Sequence, residues 1–264
     1  MSRPGRRLLV TGAGSGIGRA LAIEASRRGM QVAICGRRPQ PLSDTLGLMA
    51  RGRHHATICD IVDAQSRSRL VAELGASWGA IDTLINNAGV IGFGPVRTID
   101  DAEIASIVST NLVAPICLAR DCLSLLRRGE QPQIANMGSL LGSIPYPLFA
   151  VYSATKSGLR AFSTALRREL KPDGISVTHI SPRGIRTAGA DRLADYAGHL
   201  EMRFDDPGDV ARAILDGLAE RRQEILPKGP ERYFLAAQAL APGLVDRAID
   251  RQLRRASASG LTTR

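Results

Sequence analysis

The chain predicts an α/β fold: a doubly wound parallel sheet covered by helices on both faces, in a single domain. Three observations carry that expectation. Short β-like apolar runs alternate with longer stretches of helical spacing, and strand–helix–strand repetition requires right-handed crossovers and a parallel sheet buried on both sides. The turn after the first apolar run, Thr11-Gly12-Ala13-Gly14-Ser15-Gly16-Ile17-Gly18, is rich in glycine, as a backbone must be to turn tightly and approach a pyrophosphate. No Pro/Gly/Ser-rich linker interrupts the pattern.

Leu8 to Thr11 is the first strand candidate, and Ile17 to Arg28, with Ile17, Leu21 and Ala25 at helical spacing, the first helix. Gln31 to Cys35 and Pro41 to Ala50 repeat the pair. Ala56 to Cys59, Val62 to Trp78, Thr83 to Asn86, Ile104 to Leu126 and Gln133 to Met137 continue the alternation. Val151 to Leu170, Val177 to Ser181, Pro207 to Leu218 and Glu224 to Leu226 complete it. These elements are expected to make up one nucleotide-binding, Rossmann-type catalytic domain over residues 1–227. Residues 228–264 form a C-terminal helical extension ending in Val245 to Arg255, where Arg247, Arg251, Arg254 and Arg255 share one face and Val245, Ile249 and Leu253 form an apolar strip. Ser257 to Arg264 is expected to be disordered.

The 264 residues are 44% apolar and 23% charged, the balance of an ordinary globular protein. No apolar run approaches the roughly twenty residues that a membrane span needs, and the arginine-rich start leads into only three apolar residues, Leu8 to Val10, so no signal peptide is expected. Cys35, Cys59, Cys117 and Cys122 lack metal-ligand spacing and suit a reduced, cytoplasmic setting. His54, His55, His179 and His199 also lack it and read as structural or surface residues, so no metal is expected. A net charge of +10 invites nucleic acid, but the arginines are dispersed and aromatic residues are 4% of the chain, too few for base stacking. No nucleic-acid partner is expected. The basic last helix is expected to pack on the domain or a sister subunit in preference to lying on an anionic membrane.

The second strand ends in Cys35-Gly36-Arg37-Arg38. An acidic residue there would bind the ribose 2′-hydroxyl of NAD; Arg37 instead offers a guanidinium fork to a 2′-phosphate, with Arg38 beside it, so the expected cofactor is NADP (NADPH). Asp60 and Ile61 follow the third strand, where a loop reaches the adenine edge, and Asp60 also suits a helix cap for Val62 onward. Asn86-Asn87-Ala88-Gly89 ends the fourth strand with amides and small residues that suit a cofactor cleft.

Ser139 precedes Tyr152 by thirteen positions, and Tyr152 precedes Lys156 by four, which puts phenol and ammonium on one helix face. A phenol has a pKa near 10 and needs nearby positive charge to exchange protons at neutral pH. Together these motifs resemble the short-chain dehydrogenase/reductase family, in its single-domain branch, from Leu8 to about Pro227. Thr11-Gly12-x-x-x-Gly16-x-Gly18 matches its cofactor loop, Asn86-Asn87-Ala88-Gly89 its fourth-strand motif, Asn111 its helical asparagine, and Ser139, Tyr152 and Lys156 its catalytic set.

That resemblance implies hydride transfer between NADPH and a ketone or secondary alcohol. Tyr152 would move the proton, Ser139 hold the substrate oxygen, Lys156 also hold the nicotinamide ribose, and Asn111 connect Lys156 to solvent. Pro182, Ile185 and Thr187 match the strip that meets the nicotinamide carboxamide, with Arg183 standing where the family has glycine. Ala188 to Asp206 would be the substrate lid, admitting a hydrophobic carbonyl compound such as a 3-oxoacyl or steroid-like ketone. A homodimer or homotetramer through Ile104 to Leu126 and Val151 to Leu170 is expected. The alternative is a non-catalytic NADPH-binding sensor or scaffold.

Overall fold

A computed structural model describes residues 5–185, 204–227, 229 and 231–258. Its main sheet is wholly parallel and runs β3-β2-β1-β4-β5-β6-β9 among the described residues. The strands are β1 (Arg7–Thr11), β2 (Gln31–Gly36), β3 (His55–Ile58), β4 (Thr83–Asn86), β5 (Gln133–Met137), β6 (Ser176–Ile180) and β9 (Glu224–Ile225). From β1 the chain moves outward through β2 and β3, then returns to β4 on the other side of β1. That reversal opens a crevice at the carboxyl ends of β1 and β4, where doubly wound sheets bind ligands. A separate parallel pair joins β7 (Gly184–Ile185) to β8 (Phe204–Asp205).

Side-chain alternation along the strands divides the core into two layers. Leu8 and Val10 of β1 point to one face, with Leu21 of α1 (Gly16–Arg27) and Ile214 and Leu218 of α7 (Pro207–Ala219). Leu9 points to the other, with Leu70 and Leu74 of α3 (Ala64–Trp78), Leu118 and Leu125 of α5 (Ala114–Leu126) and Leu166 of α6 (Ala150–Glu169). The remaining helices are α2 (Pro39–Leu48), α4 (Asp101–Val108), α8 (Glu231–Leu240) and α9 (Pro242–Ala258).

Several boundaries differ from expectation for local reasons. The third helix starts at Ala64 and not Val62, because Asp63 caps it and accepts the Ser66 amide at 2.8 Å, while Asp60 accepts only the Val62 amide at 3.0 Å in a short turn. The helix expected over Ile104 to Leu126 begins at Asp101 and contains a π turn at Ser109–Val113. Pro115 has no N–H for the Asn111 carbonyl, and the Ala114 amide reaches back to the Ser109 carbonyl, which widens the turn. By length and composition Asp101–Leu126 could cross a membrane, contrary to expectation, because the polar residues that break its apolar run are mostly small. In this fold Leu118, Ala119, Cys122, Leu125 and Leu126 of that run are buried in the sheet core. The last helix reaches Ala258, two residues into the tail expected to be disordered; residues 259–264 lie outside the described ones.

Candidate functional site

The glycine turn is clamped onto the end of β4. Gly12 and Gly16 have φ of +67° and +54°, the left-handed region that glycine enters without penalty. A Cβ on Gly12 would stand 2.8 Å from Ala88 Cα, and one on Gly18 2.5 Å from both Asn87 Nδ2 and the Gly12 carbonyl oxygen. Thr11 Oγ1 accepts the amides of Asn87 and Ala88 at 3.0 and 2.9 Å, and Asn87 Nδ2 donates to the Thr11 carbonyl at 2.8 Å. Ser15 occupies the N-cap of α1 without using its hydroxyl as a cap. This glycine-lined cradle at a helix amino terminus fits a pyrophosphate. Ile17 packs partly into the core beside it.

Arg37 and Arg38 stand exposed after β2. Asp60 has its carboxylate on the Val62 amide, and the Ile61 side chain is buried in the core. Pro182 accepts the Leu140 amide at 3.1 Å. Arg183 pairs with Asp205 of β8 at 3.5 Å and does not adopt positive φ, so the local backbone tolerates it in place of glycine. Thr187 and residues 188–203 of the expected lid lie outside the described residues, as does the side chain of Ile185.

Tyr152 and Lys156 sit one turn apart on α6, with Lys156 Nζ 5.6 Å from the phenol ring centroid. Lys156 is 4% exposed and donates to the Met137 carbonyl at 2.8 Å; burial lowers its pKa to about 8. Tyr152 is half-buried. Burial pushes its phenol up, and the nearby Ser139 hydroxyl opposes that shift. Ser139 starts the 3₁₀ turn Leu140–Gly142, which is pressed onto α6: a Cβ on Gly142 would lie 2.8 Å from the Lys156 carbonyl carbon, and Ser157 Oγ donates to the Gly142 carbonyl at 2.6 Å. Ser139, Tyr152 and Lys156 are therefore joined by packing as well as by spacing.

Asn111 lies buried in the π turn. Its Oδ1 accepts the Val90 amide and its Nδ2 donates to the Val90 carbonyl, both at 2.8 Å. A Cβ on Gly89 would meet Asn111 Oδ1 at 3.0 Å and Lys156 Nζ at 3.5 Å. The amide thus latches the loop beside the lysine. What the whole arrangement offers is a protonated phenol, a second hydroxyl and a cation behind them, next to a crevice end able to hold an extended phosphate ligand.

Sequence reasoning missed a buried polar ladder below this site. Asn86, Asn136 and His179 are neighbours in register across β4, β5 and β6. Asn86 Nδ2 donates to Asn136 Oδ1 at 2.8 Å, and Asn136 Nδ2 to Ser163 Oγ at 2.9 Å. His179 is 2% exposed, its Nε2 has no partner among the described residues, and burial, helped by Arg160 and Lys156, drops its pKa to about 4. The ring fills the space beside Gly138, where a Cβ would stand 2.4 Å from it. Polar residues at matching positions in three apolar core strands were the available signal.

The family model described as short chain dehydrogenase matches residues 6–196. The 3-oxoacyl-[acyl-carrier-protein] reductase of Escherichia coli is 32% identical over 223 residues, covering 81% of this chain and 90% of that one. A crystal structure of a variant actinorhodin polyketide ketoreductase with NADPH superposes with a TM-score of 0.78 at 28% identity, covering 84% of this chain and 95% of that one. A Burkholderia phymatum short chain dehydrogenase/reductase in complex with NAD reaches 0.84 at 21% identity, with 91% and 95% covered, a likeness of fold.

Two measurements probe this geometry. Gly138→Ala should destabilise the protein by about 1–3 kcal/mol through overpacking, and adding His179→Val should recover part of the loss, the Ile180 carbonyl at 2.8 Å remaining in the way; additive denaturation midpoints would contradict the fit. Lys156 has a folded pKa of about 8 against an ordinary 10.5, so the unfolded chain binds more protons between those values and the burial cost falls as pH rises through that window. Relative to Lys156→Met, the cofactor-free wild type should gain about 2 kcal/mol between pH 7 and pH 9.5. Parallel urea midpoints at the two pH values would show that the lysine is not buried as a charge.

Proposed function

The chain belongs to the short-chain dehydrogenase family, and from that premise we propose that it is an NADP-dependent oxidoreductase interconverting a hydrophobic ketone and its secondary alcohol. The observation that carries this reading is the Ser139 turn packed onto α6 beside Tyr152, with Lys156 Nζ 5.6 Å from the phenol ring centroid. The nicotinamide cofactor, when bound, supplies or accepts the hydride. Tyr152 gives its proton to the carbonyl oxygen as negative charge develops there. Ser139 donates a hydrogen bond to the same oxygen. Burial alone would keep the phenol protonated, which suits reduction; the Lys156 ammonium favours the phenolate and makes the reverse direction workable. Asn111 holds the Val90 backbone beside Lys156, so in this reading it acts first as a latch and only through water as a link to solvent.

Gly12, Ser15, Gly16, Ile17 and Gly18 form the pyrophosphate cradle, Asp60 and Ile61 the adenine side, and Asn87, Ala88 and Gly89 the floor. Pro182, Ile185 and Thr187 would face the carboxamide. Arg37 and Arg38 pair with a 2′-phosphate, a reading supported by the exposed guanidinium groups after β2 and by the related ketoreductase structure with NADPH. The E. coli relative favours 3-oxoacyl compounds among the substrates. The intact serine, tyrosine and lysine weigh against a sensor or scaffold without turnover.

Tyr152→Phe should lose nearly all hydride transfer to a panel of ketones while NADPH affinity stays within about twofold, because the hydroxyl alone is removed. A variant that keeps most of its turnover contradicts the role. Arg37→Ala should weaken NADPH binding by about 10- to 100-fold, the worth of a hydrogen-bonded charge pair, and leave NADH binding unchanged. Titration of each cofactor against both proteins reads this directly, and unaltered preference would reassign the contact.

A further inference from the structure

The last helix lies beyond the family match, which ends at residue 196, yet it packs on the same apolar cluster as Tyr152. Along α9, Val245 is 6% exposed and Ile249 and Leu253 are half-buried, while Arg247, Arg251, Arg254 and Arg255 are exposed. Its apolar strip therefore faces the protein. Leu253 joins an apolar cluster built on buried Phe149, together with Phe93, Leu141 and Tyr146. Tyr152 belongs to the same cluster, its ring 6.5 Å from that of Phe149, which in turn lies 5.1 Å from Phe93.

One residue before Leu253, the helix is tied down. Tyr146 Oη donates to Gln252 Oε1 at 2.9 Å. Burial raises the Tyr146 phenol to about 12, so it remains a donor at working pH. The loop beneath is held in an unfavourable form: Leu148 has φ of +68°, kept by the Gly94 amide on its carbonyl at 2.9 Å and by its side chain in the cluster. A leucine tolerates that conformation only where its surroundings over-determine it.

We propose that α9 forms one wall of the substrate cleft, with Leu253 setting how bulky a flat, apolar ketone is accepted and the Tyr146–Gln252 hydrogen bond holding that wall in place. Phe149, Phe93, Tyr146 and Leu141 share that cluster with the tyrosine, an apolar and aromatic lining that suits a carbonyl flanked by an aryl group. This inference rests on the reading of Ser139 and Tyr152 as the reacting pair.

The test uses full-length protein loaded with NADP, two substitutions of opposite size and two readouts. Prodan, a fluorescent naphthyl ketone whose emission shifts to the blue in apolar surroundings, should bind wild type saturably. Leu253→Trp, which fills the cleft, should weaken it by about tenfold, the scale on which a small change of pocket volume discriminates ligands. Leu253→Ala should raise kcat/KM for bulky aryl ketones relative to a compact aliphatic ketone by about tenfold, and Gln252→Ala should move the ratio the same way by less. NADPH affinity should hold within about twofold in all three. Absence of a saturable blue shift in wild type, or prodan affinity and substrate ratio that ignore residue 253, overturns the wall. If no ketone turns over while prodan binding still depends on Leu253, the reductase reading falls and the wall stands; turnover that ignores residue 253 gives the opposite result.

Discussion

A lysine ammonium held 2.8 Å from the Met137 carbonyl, with 4% of the residue exposed, is the constraint around which the site is assembled. Isolated charge in a protein interior is costly and is tolerated where geometry gives something back. Here Lys156 has one carbonyl and an aromatic face, too little to keep its pKa at the ordinary value. The same desolvation makes its charge more effective on the Tyr152 phenol than it would be in water. A tyrosine whose own burial favours the neutral form needs such a partner to release its proton.

The surroundings hold that arrangement from three directions. Gly142 lets the Ser139 turn approach the Lys156 backbone, Gly89 leaves room between Asn111 and Lys156, and Asn87 with Thr11 fixes the glycine loop to the same crevice. In each case a missing side chain creates the approach and a backbone hydrogen bond fixes it. Close packing of this kind leaves few low-energy alternatives, and preorganised groups are what proton and hydride transfer require.

The sheet, the glycine turn and the Ser139, Tyr152, Lys156 spacing were legible in the sequence because each rests on local periodicity or on residues a few positions apart. The start of α3 was misjudged because Asp60 and Asp63 are both plausible caps, and only the backbone decides which carboxylate meets an amide. The π turn needed Pro115 to be read against the carbonyl four residues earlier. Helix α8 lies in the extension expected to be helical, but its bounds were not foreseen: Tyr233, Phe234 and Leu240 are exposed, so its large apolar residues do not mark one inward stripe. His179 appeared as a lone histidine because its neighbours, Asn136 on β5 and Ser163 on α6, lie on other elements, and the meeting of Leu253 and Tyr152 on one cluster depends on the path of the chain between them.

The polar ladder explains why the three sources of the site keep a common depth. Asn86 on β4 also reaches the Pro115 carbonyl of α5 at 3.3 Å, and Ser163 on α6 donates to the Leu159 carbonyl at 2.7 Å while accepting from Asn136 on β5. Sliding either helix along the sheet would leave at least one of these buried amides unpaired, at a cost of about 1–3 kcal/mol each. Apolar contacts alone tolerate small slips; directional bonds do not. The π turn with Asn111 precedes α5, Tyr152 and Lys156 ride on α6, and Ser139 leaves β5 two residues after its last paired position. All three elements are indexed to one another by buried side chains in the sheet and against it.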